Sequence, residues 1–137
     1  MVRSSKVRSL GRHGVLVIGR LPSSLVRHWA SSVRGNLEVV LTGERRFHYL
    51  ARHPEMAPLE RLLPDVVLDP DIVCADKSRE QVAVFFRQHT DEHYLRVAVL
   101  MQRKASGYKH SVLSFRLAKE QEYWKSWGEV LWKRRGE

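Results

Sequence analysis

Cysteine and long apolar runs are both scarce in this chain of 137 residues. The lone cysteine, Cys74, cannot form a disulfide within the chain, and a cysteine-based zinc site needs at least two cysteines. The longest aliphatic stretch, Val15 to Ile18, is far too short to cross a bilayer. The basic N-terminal segment has no apolar centre and no small-residue cleavage site, so no secretory signal is predicted. These absences favour a protein of the reducing cytoplasm that does not use a membrane as a partner.

The usual signatures of nucleotide and hydrolase chemistry are missing as well. The chain has no P-loop, no Gly-x-Gly-x-x-Gly and no Gly-x-Ser-x-Gly. His89 and His93 have the four-residue spacing of some zinc ligands, but Asp91 and Glu92 lie between them in a predicted turn with no cysteine nearby. We therefore expect neither a metal nor a cofactor.

The chain does have a globular composition and an excess of positive charge. It is 43% hydrophobic and 28% charged, which is typical of one soluble domain that is large enough to bury a core. The formal net charge is +9. Residues 1–36 hold seven of the 24 Lys and Arg and none of the 15 Asp and Glu. Such a segment attracts polyanions, nucleic acid above all; the alternative is a solvated arm that only keeps the protein soluble.

Hydrophobic periodicity divides the chain into a flexible basic arm, residues 1–13, and a single domain, residues 14–137. Helices are predicted at 25–33, 44–51, 55–63 and 118–124. Strands are predicted at 15–19, 37–42, 72–75, 81–89, 94–101, 111–117 and 128–133. Because helices dominate the first half and strands the second, the pattern indicates an α+β fold in which helices pack on one face of an antiparallel sheet.

Two histidines at the end of one predicted helix are the first candidates for chemistry. Arg52 follows His48 by four residues, so the two side chains share a helix face, and His53 comes next in the chain. A neighbouring arginine disfavours the charged form of histidine and so favours a neutral base near pH 7. The alternatives are a His48 that hydrogen-bonds to the backbone and a His53 that complements the helix dipole.

The predicted strands offer further polar and aromatic candidates. Strand alternation places Val112, Ser114 and Arg116 on one side of the strand, while Leu113, Phe115 and Leu117 face the core. The strand rise puts Ser114 and Arg116 about 7 Å apart. A hydroxyl beside a guanidinium suits a phosphate; the alternative is a solvated sheet face with ordinary polar residues. The aromatic candidates for stacking on bases are Trp124, Trp127, Trp132, Tyr108 and Tyr123, while Trp132 and Trp29 are also predicted core residues.

Several segments of the chain follow one another in a characteristic order. They are Val17-Ile18-Gly19-Arg20-Leu21-Pro22, Val39 to His48, Arg52-His53-Pro54-Glu55, Val67 to Val73, Tyr94 to Val99, Val112 to Phe115, and Gly128 to Trp132. The series resembles the phage-associated nuclease family of the barnase–EndoU–colicin–RelE superfamily. Its most specific part is Arg-His-Pro-Glu followed by Asp-Pro-Asp, and the resemblance covers roughly residues 15–133.

This resemblance implies a fold, an activity and a set of residues. The fold is α+β, with N-terminal helices packed on a roughly four-stranded antiparallel sheet, as in barnase and RelE. The activity is RNA cleavage without a metal or a cofactor. By position, the catalytic residues are His48, His53, Arg87 and Ser114. We further predict that the substrate is bound by Arg52, Lys77 and Arg116. The chain departs from the family where Ser114-Phe115-Arg116 replaces a Thr-Ala-Tyr-like segment.

The function that we expect is therefore a toxin-like or phage-encoded endoribonuclease. The RNA 2′-OH would attack the adjacent phosphate and leave a 2′,3′-cyclic phosphate, with histidine as acid and base. The expected partners are RNA, such as tRNA or mRNA, and a protein inhibitor. Two alternatives stay open: a non-catalytic nucleic-acid-binding module that kept the nuclease fold, and a virion-associated protein whose basic arm contacts packaged DNA.

Overall fold

Seven strands form one mixed sheet in the computed structural model, which describes residues 5–26, 37–101 and 109–134. The strands are β1 (Val15–Arg20), β2 (Glu38–Thr42), β3 (Ile72–Ala75), β4 (Val82–Gln88), β5 (His93–Leu100), β6 (His110–Lys119) and β7 (Val130–Lys133). Their order across the sheet is β1-β2-β6-β5-β4-β3-β7. Neighbouring strands are antiparallel except β2 and β6, which are parallel.

Short helices connect and flank the strands. They are α1 (Ser5–Arg8), α2 (Ser23–Val26), α3 (Gly43–Arg52), α4 (Leu63–Leu68) and α5 (Glu120–Lys125), with 3-10 segments at Pro54–Leu62 and Ser126–Glu129. Thr42 caps α3 because its side-chain oxygen accepts the backbone N–H of Arg45 at 3.2 Å. This cap starts α3 directly after β2, so the end of that strand sets where the helix begins.

The prediction of N-terminal helices on a four-stranded antiparallel sheet, as in barnase and RelE, is wrong. The sheet has seven strands, it contains a parallel pair, and the β1–β2 hairpin occupies one edge of it. The hairpin joins through the pairing of Val39 with His110 and of Val40 with Ser111, and β7 adds to β3 at the other edge. Such pairings between distant segments leave no periodic pattern in the sequence, so local signals could not predict them.

Most individual elements lie close to where the sequence predicts them. The strand at 72–75 is confirmed to the residue, and the turn between β4 and β5 joins an antiparallel pair as expected. The predicted helix at 55–63 is instead a 3-10 segment with Pro58 inside it. Pro64, the residue after that predicted helix, lies in the first turn of α4, where its missing N–H costs nothing. The predicted helix at 25–33 is described only up to Val26, and Trp29 and Tyr108 lie outside the described residues.

Both faces of the sheet are buried. Along β4, Ala83 and Phe85 face the larger core under α3 and α4, whereas Val84 and Phe86 face a second cluster beneath α5. The sheet is therefore the middle layer of the molecule. This arrangement explains why the strand reads as a continuous apolar run rather than as an alternation.

Part of the segment predicted as a basic arm contacts the domain. Val7 in α1 has no exposed surface and belongs to the larger core, with Leu10 packed against it. Gly43 approaches the same segment so closely that an added Cβ would lie 1.8 Å from the Gly11 carbonyl oxygen. The start of α3 therefore has room only for glycine, and residues 11–14 cross directly over it.

Candidate functional site

A groove of about 420 Å³ lies between α3 and the face of strands β5 and β6. We call it the arginine groove. It is lined by Arg45, His48, Tyr49, Arg52, His53, Arg79, Arg96, Leu113, Ser114 and Arg116. These lining residues include five arginines and no Asp or Glu. A concave surface of this composition favours an anionic ligand.

Five of the seven predicted site residues meet in the arginine groove. They are His48, Arg52, His53, Ser114 and Arg116. The sequence separates the first three from the last two by some sixty positions, so their convergence is a product of the fold. The structure therefore brings two imidazoles, a hydroxyl and two guanidiniums to one surface.

A buried polar triad holds α3 in place against the rest of the molecule. Arg46 donates to both carboxylate oxygens of Glu60, at 2.7 and 2.8 Å, and the Tyr49 hydroxyl donates to the same carboxylate. Glu60 has no exposed surface. Burial raises the pKa of Tyr49, and the Glu60 carboxylate raises it further. Because Tyr49 also packs edge-on against Phe115 of β6, with ring centroids 5.7 Å apart, the triad fixes the distance between helix and strand.

The strand side of the groove depends on a β-bulge in β6. Val99 pairs with Val112 and Ala98 pairs with Ser114, so Leu113 is the extra residue. Ser114 and Arg116 share a face, as predicted. The predicted sides of Val112 and Leu113 are wrong: Val112 is fully buried in the larger core, and Leu113 lines the groove. The bulge reverses their sides because it shifts the alternation by one residue.

The floor of the groove is a chain of ion pairs. Arg116 binds the Glu122 carboxylate with both terminal nitrogens, and Arg96 lies 3.5 Å from the same carboxylate. Arg96 also lies 3.9 Å from Asp76, which binds Arg79 at 3.0 Å. Burial lowers the pKa of Arg96 to about 10, with the nearby charge of Arg116 acting in the same direction. Burial opposes ionisation of Glu122, but the hydrogen bond and charge of Arg116 outweigh it and lower the pKa of that carboxyl.

Two cations and an imidazole on α3 are free to meet a ligand. Within the described residues, the guanidiniums of Arg45 and Arg52 and the ring of His48 form no hydrogen bond or ion pair, and all three residues are exposed. They lie at positions i, i+3 and i+7 of the helix, which is one face. The His53 ring is one-third exposed, and its Nδ1 lies 3.5 Å from Glu55 Oε1.

Arg87, a predicted catalytic residue, does not reach the arginine groove. It binds Asp69 at 2.8 Å, and Arg134 binds the same carboxylate at 2.9 Å and Asp71 at 3.2 Å. These contacts join the end of α4 to β4 and to the residue after β7. The structure therefore places Arg87 in a cluster of ion pairs that stabilises this edge of the sheet. Lys77 also lies outside the groove and lines a neighbouring cavity.

Sequence reasoning missed three arginines that the structure places in the groove: Arg45, Arg79 and Arg96. Arg45 had a local signal, since it precedes His48 by three residues on the same helix face. Arg96 lies opposite Arg116 across two paired strands, which becomes visible only once the register of those strands is known. Arg79 lies in the connection between β3 and β4, where no local pattern points to a groove.

The aromatic candidates gather under α5. Tyr123 is buried and stacks on Tyr94 with centroids 3.9 Å apart, Trp127 packs edge-on against Tyr123, and Trp124 is 54% exposed. Trp132 is partly buried and packs against the larger core, in agreement with its prediction as a core residue. Of the aromatic residues predicted to stack on bases, Trp124 therefore offers the most open surface in the part of the chain described.

No cluster of three or more His, Cys, Asp or Glu side chains is arranged to hold a metal ion among the residues that the structure describes. Within the same ranges, no helix has the length and apolarity that a membrane crossing requires. Comparison of the chain with protein-family models, with curated proteins and with solved structures finds no match.

Proposed function

We propose that this protein is a metal-independent endoribonuclease and that the arginine groove is its active site. The observation that carries the proposal is the meeting of His48, His53 and Ser114 with five arginines in a groove whose lining, among the described residues, includes no carboxylate. Such a site supplies what RNA cleavage by its own 2′-OH needs: a proton acceptor, a proton donor and positive charge around the phosphate. The substrate is RNA in the cytoplasm, and a toxin-like or phage-encoded role with a protein inhibitor fits this activity.

Arg45 and Arg52 would bind the RNA backbone first. Both guanidiniums are exposed and unpaired within the described residues, and they lie two helical turns apart along α3. Guanidinium groups bind phosphate through two parallel hydrogen bonds and keep their charge at any working pH. The two residues therefore place the RNA strand along the helix, with its phosphates against the groove.

The two histidines would divide the proton transfers between them. His48 has no carboxylate partner within the described residues, so we assign it as the base that removes the 2′-OH proton. His53, whose Nδ1 lies 3.5 Å from Glu55 Oε1, is then the second imidazole of the groove, and we assign it as the acid that protonates the leaving 5′-oxygen. Ser114 would donate a hydrogen bond to a non-bridging oxygen, and Arg116 would stabilise the charge that grows on the phosphorane.

The test is RNA cleavage in EDTA by the full chain and by His48→Ala, His53→Ala and Ser114→Ala. We expect a cyclic phosphate product and a loss of rate of about 100-fold or more in each histidine variant. His89→Ala is the matched control, because His89 is an exposed histidine at the end of β4 and outside the groove lining. Equal activity in His48→Ala and His89→Ala would contradict the proposal.

One observation favours a second candidate function, a module that binds RNA without cleaving it. Arg116, which would stabilise the transition state, is held by Glu122 through both terminal nitrogens. If Arg116 stays paired with Glu122 when RNA is bound, it cannot stabilise the phosphorane. The cations on α3 would still bind the RNA backbone. Salt-sensitive RNA binding, unchanged in the histidine variants and accompanied by no cleavage, would establish this second function.

A further inference from the structure

A second cavity, of about 240 Å³, adjoins the arginine groove. We call it the rear cavity. It is lined by Cys74, Ala75, Asp76, Lys77, Val84, Phe86, Arg96, Glu122, Lys125, Ser126 and Glu129. Arg96 lines both the groove and the rear cavity, so the two spaces are neighbours. A ligand that binds in the groove at Arg96 is therefore close to the rear cavity.

The ion pairs between the groove and the rear cavity make the two sides of their shared wall opposite in charge. Arg79 and Arg116 line the groove, whereas their partners Asp76 and Glu122 line the rear cavity. The wall thus presents cations to one side and carboxylate oxygens to the other. The groove side suits a phosphate, and the cavity side suits a neutral group whose N–H donors point at the carboxylates.

The remaining lining of the rear cavity is apolar where strands β3 and β4 form it and polar elsewhere. Val84 and Phe86 of β4, together with Cys74 of β3, supply the apolar part. Lys77, Lys125 and Glu129 stand around it, and none of these three side chains forms an ion pair within the described residues. Three carboxylates and three cations line the cavity in all, so its charge is balanced and favours neither an anion nor a cation.

The size of the rear cavity limits the ligand to one heterocycle. Pockets for drug-sized molecules span about 300–1,000 Å³, and this cavity is smaller. Nor does the buried thiol at its wall suggest covalent chemistry. Burial raises the pKa of Cys74 to about 12, and the nearby charge of Glu129 acts in the same direction, so the sulfur is a neutral thiol at physiological pH.

We propose that the rear cavity binds the nucleobase next to the phosphate held in the arginine groove. A nucleobase is a flat heterocycle that carries N–H donors and ring or carbonyl acceptors on its edges, which Glu129 and the two lysines complement. The sugar-phosphate would stay on the cationic side of the Asp76–Arg96–Glu122 wall and the base would enter on the other. This inference rests on the RNA binding of the proposed function and assigns its base selectivity to the cavity side of the wall, where Lys77, Lys125 and Glu129 lie outside the groove lining.

The test compares binding of 2′-O-methyl dinucleotides, which cannot be cleaved, with binding of the same molecules lacking one base. Wild-type protein should bind the base-bearing form about tenfold tighter or more, and should rank the four bases. Ser126→Phe, which fills the rear cavity, should remove that advantage. Gln121→Phe is the matched control, because Gln121 is an exposed residue of α5 outside both linings and its variant should keep the advantage.

Ser126→Phe removes the hydrogen bond that the Ser126 hydroxyl donates to the Glu122 carbonyl at 3.0 Å, and this loss could disturb the end of α5. A second variant, Glu129→Gln, changes the cavity without removing that bond. Glu129→Gln should change the ranking of the bases, whereas Glu120→Gln, the same charge change outside the cavity, should not. Base preference retained in both Ser126→Phe and Glu129→Gln, or equal binding of base-bearing and base-free molecules to wild type, would overturn the inference. Because nothing in this test is cleaved, its failure is distinct from loss of histidine-dependent cleavage, which would overturn the nuclease alone.

Discussion

At the scale of single residues, the pairing of Arg116 with Glu122 is the contact that most affects the proposed activity. Glu122 comes from α5, directly after the strand that carries Ser114 and Arg116, and it holds Arg96 as well. Its carboxylate occupies the place around these guanidiniums that a phosphate oxygen would need. Under the proposed function, RNA would compete with Glu122 for Arg116, whereas Arg45 and Arg52 have no such competitor within the described residues.

We predict that Glu122→Gln binds RNA about threefold to tenfold more tightly than wild type at moderate salt, because it releases Arg116 and Arg96 from a competing carboxylate. Equilibrium binding of a labelled oligoribonucleotide measures this change. The matched control is Glu120→Gln, which alters the net charge equally on the same helix without touching either arginine. An equal gain in the two variants would show that only net charge had changed.

At the scale of elements, α3 is positioned by the triad of Arg46, Tyr49 and Glu60 rather than by its own sequence. The helix is ten residues long, and its polar face points into the groove. A helix this short is marginal by itself, so its tertiary contacts determine where His48 and Arg52 lie. The sequence predicted the helix well, but the partner of Arg46 lies fourteen residues away in a segment whose 3-10 form was not predicted.

We predict that Arg46→Met destabilises the protein by roughly 3–5 kcal/mol, because it leaves the buried Glu60 carboxylate without its cation. Urea unfolding measures the free energy of unfolding. Arg45→Met serves as the control: this neighbouring arginine is exposed, and its loss should change stability by less than about 0.5 kcal/mol. Similar losses in the two variants would mean that the triad does not hold α3.

The cluster of Asp69, Arg87 and Arg134 makes the stability of the sheet edge depend on pH. A hydrogen bond from Arg87, with a second from Arg134, lowers the pKa of Asp69, although burial opposes this slightly. A carboxyl with a lowered pKa in the folded state stabilises the fold above its unfolded value, and this contribution disappears as the pH falls through the folded value. We predict that Asp69→Asn is less stable than wild type at pH 7 and equally stable at about pH 2.

Thermal unfolding across this pH range checks the Asp69 prediction. Asp91→Asn is its control, since Asp91 is exposed in the turn between β4 and β5 and should show no such convergence. A difference between Asp69→Asn and wild type that persisted unchanged into acid would contradict the assignment of this cluster.

At the scale of the whole molecule, the sequence predicted the type of most elements but not how they assemble. Local periodicity suffices for β3, β4 and β5, because each is rich in β-branched or aromatic residues. The parallel contact of β2 with β6 and the addition of β7 to β3 pair segments that are distant in the sequence. The prediction of a four-stranded sheet was wrong because it lacked these pairings. These pairings also set the site: because β2 pairs with β6 only as far as Ser111, α3 lies beside the rest of that strand.

The same limit applies to the candidate site. Helix spacing and strand alternation were enough to choose His48, Arg52, Ser114 and Arg116, all of which line the groove. Arg87 had the right residue type near the end of a strand, but the structure places it beside Asp69. Which arginine faces a groove depends on register and on the partners that neutralise it, and neither can be read from one strand alone.

The central claim is that the arginine groove cleaves RNA through the RNA's own 2′-OH. The most direct measurement uses an oligoribonucleotide with one strong cleavage site, compared with the same oligomer carrying a single 2′-deoxy nucleotide on the 5′ side of that linkage, both in EDTA. We predict that cleavage at this linkage disappears in the deoxy oligomer while neighbouring linkages are still cut, and that the product ends are 2′,3′-cyclic phosphate and 5′-hydroxyl. Cleavage of the deoxy linkage, or of a DNA strand, by the same protein would contradict the account.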